Sequence, residues 1–233
     1  MAVDSLGALE SIIKAIVLEQ RQHPVKATPS ARVVTISTGA GAGGKEVARM
    51  LSERLSIPVF DKEILNAVAE EAHVEKHVLA GLDERVDGLK GAWLRYLVTG
   101  ESLFKDTYRR NLINVVLAIA SHGGVILGRG ANFILSHLPV LRLRIIGTSE
   151  RCVGRYVNQE GVQQRVAESL VAETDKGRRE FIRALYQRDI DDPRGYDLSL
   201  NSDRLTLARI AEIAEFALSD FELDPEHSQD HSP

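Results

Sequence analysis

The most constraining stretch of this chain is residues 32–51, RVVTISTGAGAGGKEVARML. Residues 32–36 form a β-branched run long enough for a buried strand, and Val47, Leu51 and Leu55 recur at intervals of four, as on the apolar face of a helix. Between the two, glycines stand at positions 39, 41, 43 and 44. A glycine loop between a strand and a helix can turn its backbone amides inward on an anion, and the helix adds the positive end of its dipole. A ligand-free flexible turn leaves this order of strand, loop and helix without a reason. The loop 39–44 is therefore expected to hold a phosphate.

The rest of the chain continues the alternation of strand and helix. Short apolar runs at 57–60, 124–127, 140–146 and 197–200 read as further strands. Helical stretches lie between them: residues 62–72, segments between 74 and 122, a basic region from Ser149 to about Asp189 broken at Gly161, and a closing helix over 205–221. Short buried strands separated by helices imply a parallel sheet covered on both faces. Ligands of such sheets bind at the carboxyl ends of the strands. The loops after Ile36, Phe60 and Leu127 leave those ends. Residues 1–22 carry Leu6, Leu9, Ile12, Ile13, Ile16 and Val17 at helical spacing and are expected to form an amphipathic helix, joined by a linker over 23–30. Residues 31–221 are expected to form the main domain, and 222–233 a disordered tail.

Composition narrows the function classes. The chain has 233 residues, 44% hydrophobic and 27% charged, enough for a full core without disulfides or metals. A net charge of -4 argues against nucleic acid or an anionic membrane as a partner. Cys152 is the one cysteine, which excludes an internal disulfide and a cysteine-rich zinc site. His73 and His77 suit one helix face, but no third ligand accompanies them. Trp93, Tyr96 and Leu97 share helical spacing and read as core or interface. With no apolar run of membrane-spanning length and no secretory leader, a cytoplasmic protein is expected.

Two phosphate motifs compete for the loop. Gly39, Gly44 and Lys45 match GxxxxGK, the P-loop pattern, with Lys45 on the donor phosphates, but Glu46 stands where a hydroxyl usually holds magnesium. Counting back three from Val47, the first apolar helix position, lands on Gly44. In that register the lysine position is a glycine and Lys45 is displaced by one residue. Gly39, Gly41 and Gly44 also match GxGxxG, with Asp61 at the end of the second strand, the layout of a Rossmann dinucleotide site.

The order and spacing of further segments separate these readings. VVTISTGAGAGGKEVARML is followed by IPVFDKEIL, GVILGRGANFIL, LRLRIIGTSE and YQRDIDDPRGYDLSLNSDRL. From about residue 32 to 221 the chain resembles the cytidylate kinase-like family, a branch of the P-loop nucleoside monophosphate kinases. The resemblance implies a three-layer α/β/α P-loop NTPase fold with a mainly parallel five-stranded sheet and a helical lid over about 151–188. It implies ATP and Mg2+ as cofactors, with the donor on Gly39, Ala40, Gly41, Ala42, Gly43, Gly44, Lys45 and Glu46 and on Arg151 and Arg155. In place of the missing hydroxyl, the Glu46 carboxylate can serve as the metal ligand or can simply stabilise the helix N-terminus. Arg151 and Arg155 would sit at the lid's entry, and Asp175, Arg178 and Arg179 at its exit. Phosphoryl transfer needs positive charge around the moving group more than covalent chemistry, so Lys45, Arg129, Arg178 and Arg179 are the candidate catalytic residues. Interleaved Glu168, Glu173 and Glu180 fit equally a solvated helix face. Asp61, Arg109, Arg110, Arg129 and Asp175 are the candidate acceptor residues. Asp61 also suits a helix N-cap. Cytidylate kinases carry an Arg-Asp pair at Arg129; here the next residue is Gly130, which removes one expected contact to the base.

The first reading is therefore an ATP-dependent kinase acting on a nucleoside monophosphate or related small acceptor. The second is a nucleotide sensor without turnover, and the third a dinucleotide oxidoreductase. The apolar stripe of residues 1–22 is a candidate homodimer contact.

Overall fold

The computed structural model describes residues 32–61 and 102–223. The expected N-terminal helix and linker, the segment holding His73, His77, Trp93, Tyr96 and Leu97, and the tail from 224 lie outside the described residues. The elements run β1 (Val33–Thr38), α1 (Gly44–Leu55), β2 (Val59–Phe60), α2 (Ser102–His122), β3 (Gly124–Leu127), α3 (Ala131–Ile134), β4 (Leu141–Ile146), α4 (Ser149–Glu160), α5 (Gln164–Tyr186), β5 (Leu198–Asn201) and α6 (Leu207–Leu223). The sheet order is β2-β3-β1-β4-β5, every pairing parallel, with β1 at the centre.

Local chemistry explains where the observed bounds depart from the expected ones. β1 runs two residues past Ile36 because Ser37 and Thr38 stay in register with Arg144 and Ile145 of β4. β2 begins at Val59 because the Ile57 N–H turns back to the Ser52 carbonyl behind α1. α6 starts at Leu207 because the Thr206 hydroxyl accepts the Arg209 N–H, an N-cap bond. Gly161, at φ +66°, ends α4 in the left-handed region, as its place in the sequence leads one to expect. A Rossmann sheet runs 3-2-1-4-5-6, with β2 beside β1. Here β3 takes that place, so the dinucleotide layout is corrected by the topology.

Two apolar clusters cover the two faces of the sheet. Val33 and Ile126 face one cluster, with Leu112, Val115 and Ile119 of α2 and Leu135. Val34, Ile36, Leu141, Leu143 and Ile145 face the other, with Val47 and Leu51 of α1 and Ile210 and Ala214 of α6. α5 belongs to both. Ala167 and Val171 in its first half pack into the second cluster, and Phe181, Ile182 and Leu185 in its second half pack into the first. α5 therefore crosses the carboxyl edge of the sheet from one face to the other. The crossing point carries Asp175, Arg178 and Arg179, which that geometry sets over the ends of β1 and β4.

Candidate functional site

The connection after β1 leads toward β2 on one side, and that after β4 toward β5 on the other. The crevice between the ends of β1 and β4 is thus the switch point where ligands of parallel sheets bind. A cleft of about 380 Å³ opens there. Thr38, Gly39, Arg144 and Gly147 form its floor, and Cys152, Val171, Asp175, Arg178, Arg179 and Asp191 stand around it. Three guanidinium groups and two carboxylates line it, a small positive excess.

The glycine loop is shaped by close approaches. Gly41 has φ +71°, and a Cβ there would lie 2.3 Å from the Cys152 carbonyl oxygen, so α4 sits directly on the loop. Gly43, at φ +89°, caps α1. Gly44 is buried, and a Cβ on it would come within 2.6 Å of the Thr38 side chain. Lys45 is exposed, while Val47, Ala48 and Leu51 are buried. Of the two registers the sequence leaves open, the helix therefore adopts the displaced one. Gly44 faces β1, Thr38 fills the space a lysine side chain would need, and Lys45 is not among the cleft-lining residues. The Glu46 carboxylate accepts a hydrogen bond from Gln159 Nε2 at 2.6 Å, which ties α1 to α4.

The arginines expected in a lid separate into distinct roles. Arg155 donates to the Gly41 carbonyl (3.0 Å), to Ser202 Oγ (3.0 Å) and to the Ser202 carbonyl (2.5 Å), and lies 3.6 Å from Asp203. It clamps the glycine loop to the turn before α6 and stands outside the cleft lining. Arg151 is exposed in the first turn of α4. Arg178 donates to the Thr38 carbonyl at 2.7 Å and lies 3.7 Å from Asp175. Burial lowers its affinity for the proton, and Asp175 opposes that effect. Arg179 is exposed on the cleft wall. The Asp175 carboxylate accepts the Ala40 N–H at 2.8 Å, so one inward loop amide is already engaged.

One cleft arginine was not singled out from the sequence. Arg144 of β4 is only 7% exposed, although its alternation with Leu143 and Ile145 would ordinarily mark a solvent face. It donates to Ser37 Oγ (2.9 Å) and to Asp191 Oδ1 (2.7 Å), and its guanidinium lies 5.9 Å from the centre of the Tyr196 ring. The Tyr196 hydroxyl donates to the Ile190 carbonyl at 2.7 Å, and burial pushes its acidity down. The segment after α5 thus folds over the end of β4 and buries the arginine.

The expected acceptor residues are divided: Asp175 lies in the cleft on the Ala40 amide, whereas Arg129 follows β3 and Asp61 follows β2. Arg129 has φ +59°, and its guanidinium lies 5.7 Å from the centre of the Phe181 ring. Its carbonyl accepts the Tyr186 hydroxyl at 2.7 Å. Burial raises the pKa of both Tyr186 and Tyr108, and the charge of Arg129 opposes it in each. Asp61, half-buried at the end of β2, and Arg129 both act electrostatically on Arg178. Arg109 reaches the Leu185 carbonyl at 3.5 Å, and Arg110 is exposed. Cys152 is buried, and burial pushes its thiol pKa up, the condition of an unreactive cysteine. Among the described residues no cluster of three metal-ligating side chains occurs, and no helix is long and apolar enough to cross a membrane.

This strand–glycine loop–helix with an arginine cleft matches a known pattern over most of the chain. The family model of the cytidylate kinase-like family matches residues 33–204. The chain belongs to that family. Its membership accounts for the kinase-like fold. A solved structure of an uncharacterised protein from Eubacterium ventriosum is similar at a TM-score of 0.62 and 21% identity, covering 81% of this chain and 98% of that one, which shows the fold alone. A uronate isomerase from Corynebacterium glutamicum is 29% identical over 106 residues, or 45% of this chain. The chain spans 20% of the length of that curated relative.

Proposed function

We propose that this member of the cytidylate kinase-like family is an ATP-dependent phosphotransferase acting on a nucleoside monophosphate or a related small acceptor, with arginines supplying the charge that the loop lysine supplies elsewhere. One observation carries the reading: Arg144, Arg178 and Arg179 wall the cleft at the ends of β1 and β4, while Lys45 is exposed outside it. The donor phosphates would lie against the loop 39–44, and the acceptor on the side of Asp61 and Arg129. Magnesium would supply positive charge to the donor phosphates and be held largely by water, since Gln159 already engages the Glu46 carboxylate.

The test is ADP release from ATP and Mg2+ across a panel of monophosphates. Removing a charge that stabilises a transition state costs about 10²–10³ in turnover. Arg178→Met is expected to lose activity on that scale, and Lys45→Ala to stay within about twofold. Equal damage from both substitutions would refute the assignment.

A second reading is a nucleotide-binding protein without turnover. It is favoured by the Asp175 carboxylate on the Ala40 amide and by glycine at the lysine position. Magnesium-dependent ATP binding with no acceptor-dependent ADP release would select it.

A further inference from the structure

Two carboxylates occupy two separate donor positions in the cleft. Asp175 Oδ1 takes the Ala40 N–H at 2.8 Å and faces Arg178 at 3.7 Å. Asp191 Oδ1 takes Arg144 Nη2 at 2.7 Å. The Arg144–Asp191 pair is unequally fixed: the Asp191 side chain is 54% exposed and that of Arg144 9%, while in the other pair Asp175 (30%) and Arg178 (39%) are both partly open to solvent. Arg144 is also held from behind by Ser37, and its Nε is buried with no hydrogen-bond partner among the described residues. Both carboxylates reach solvent and regain hydration on leaving, while the buried Arg144 guanidinium stays in place and needs another anion in exchange. A buried arginine whose one charged partner is a mostly exposed aspartate is a donor kept ready for a stronger anion.

We propose that the cleft is a self-paired oligophosphate site: Asp175 and Asp191 hold, in the free chain, the donors that two linked phosphoryl groups take when they bind. One phosphoryl group takes the Ala40 amide and Arg178 from Asp175. The next takes Arg144 Nη2 from Asp191, with Arg179 on the open wall. Two placeholders on two donors specify a diphosphate unit over a single phosphate. A diphosphate carries more charge than the two carboxylates it displaces and can present several oxygens to each guanidinium. The displaced aspartates turn to water, and Arg144 becomes the contact that distinguishes a phosphate chain from one phosphate. The inference rests on the cleft being the phosphate site and does not depend on turnover.

The test is calorimetric titration of the full chain with inorganic pyrophosphate and, separately, with inorganic phosphate, without nucleotide. Asp191→Asn and Asp175→Asn each remove one competing charge and are expected to tighten pyrophosphate binding about fivefold. Arg179→Gln, at an exposed position where folding is not at stake, is expected to loosen it by a similar factor. Pyrophosphate is expected to bind more tightly than phosphate in every variant. Unchanged or weaker pyrophosphate binding in both aspartate variants overturns the proposal, as does binding insensitive to Arg179→Gln, which would put the anion elsewhere. ATP turnover in a protein whose pyrophosphate affinity ignores both aspartates would sink this inference and leave the kinase reading standing. Tightened pyrophosphate binding in a protein that never turns over ATP would do the reverse.

Discussion

Gly130 offers a direct check on how the acceptor side is built. It has φ +73°, and a Cβ on it would lie 2.2 Å from Cε2 of Tyr186. Gly130→Ala therefore has two costs. A non-glycine residue in the left-handed region costs about 1–2 kcal/mol. The Tyr186 ring must also move, which gives up its hydroxyl bond to the Arg129 carbonyl and its packing 6.0 Å from the Phe133 ring. These losses are worth about 1 kcal/mol each. The single substitution should thus cost roughly 3–4 kcal/mol, and only the backbone part, about 1–2 kcal/mol, once Tyr186→Ala has removed the ring. Urea denaturation of the wild type, both single variants and the double variant measures the coupling, expected near 2 kcal/mol. An equal cost of Gly130→Ala in both backgrounds would refute the claim that Tyr186 requires glycine here. The same geometry explains why aspartate does not follow Arg129: its Cβ would enter the same ring.

Two further outcomes follow from the clamp behind the loop. Arg155→Ala removes charged hydrogen bonds to Gly41 and Ser202 and should lower stability by about 2 kcal/mol in denaturant titration; a loss under about 0.5 kcal/mol would remove Arg155 as the tie between the loop and the turn before α6. The Thr148 N–H, followed by Arg155 among its other neighbours, holds the Asp203 carboxyl below the usual carboxylate range. Its stabilising effect is therefore complete above the ordinary value near pH 4 and is lost as pH falls through the lower folded value. Asp203→Asn should destabilise the protein at pH 7 and much less at pH 2, and an equal effect at both would contradict the assignment.

Much of the fold was legible because its signals are local. RVVTI, GVIL and the run ending at Ile146 are apolar and β-branched enough to name their strands, and Val47, Leu51 and Leu55 carry the helical phase that turns Gly44 inward. β2 was read too long because its first residues are apolar yet bond back to the end of α1. α3 is one turn and leaves no periodicity to detect. The site was less legible because its pairings are distant in the chain. Arg155 reads as a lid arginine until Ser202, 47 positions away, is seen to receive it. Arg144 follows an alternating pattern that normally means solvent, and only the fold of residues 190–196 over the end of β4 buries it.

The central place of β1 has a consequence during synthesis. Ser37 meets Arg144 across the sheet, 107 positions later in the chain. A ribosome extends a chain at about 5–20 residues per second, so roughly 5–20 s pass between the emergence of β1 and that of its partner β4. For that interval one edge of an apolar strand and the glycine loop behind it wait unpaired. Parallel pairing over such a separation is slow to nucleate and open to aggregation. The element that organises the finished cleft is thus the one whose nascent form has most need of a chaperone.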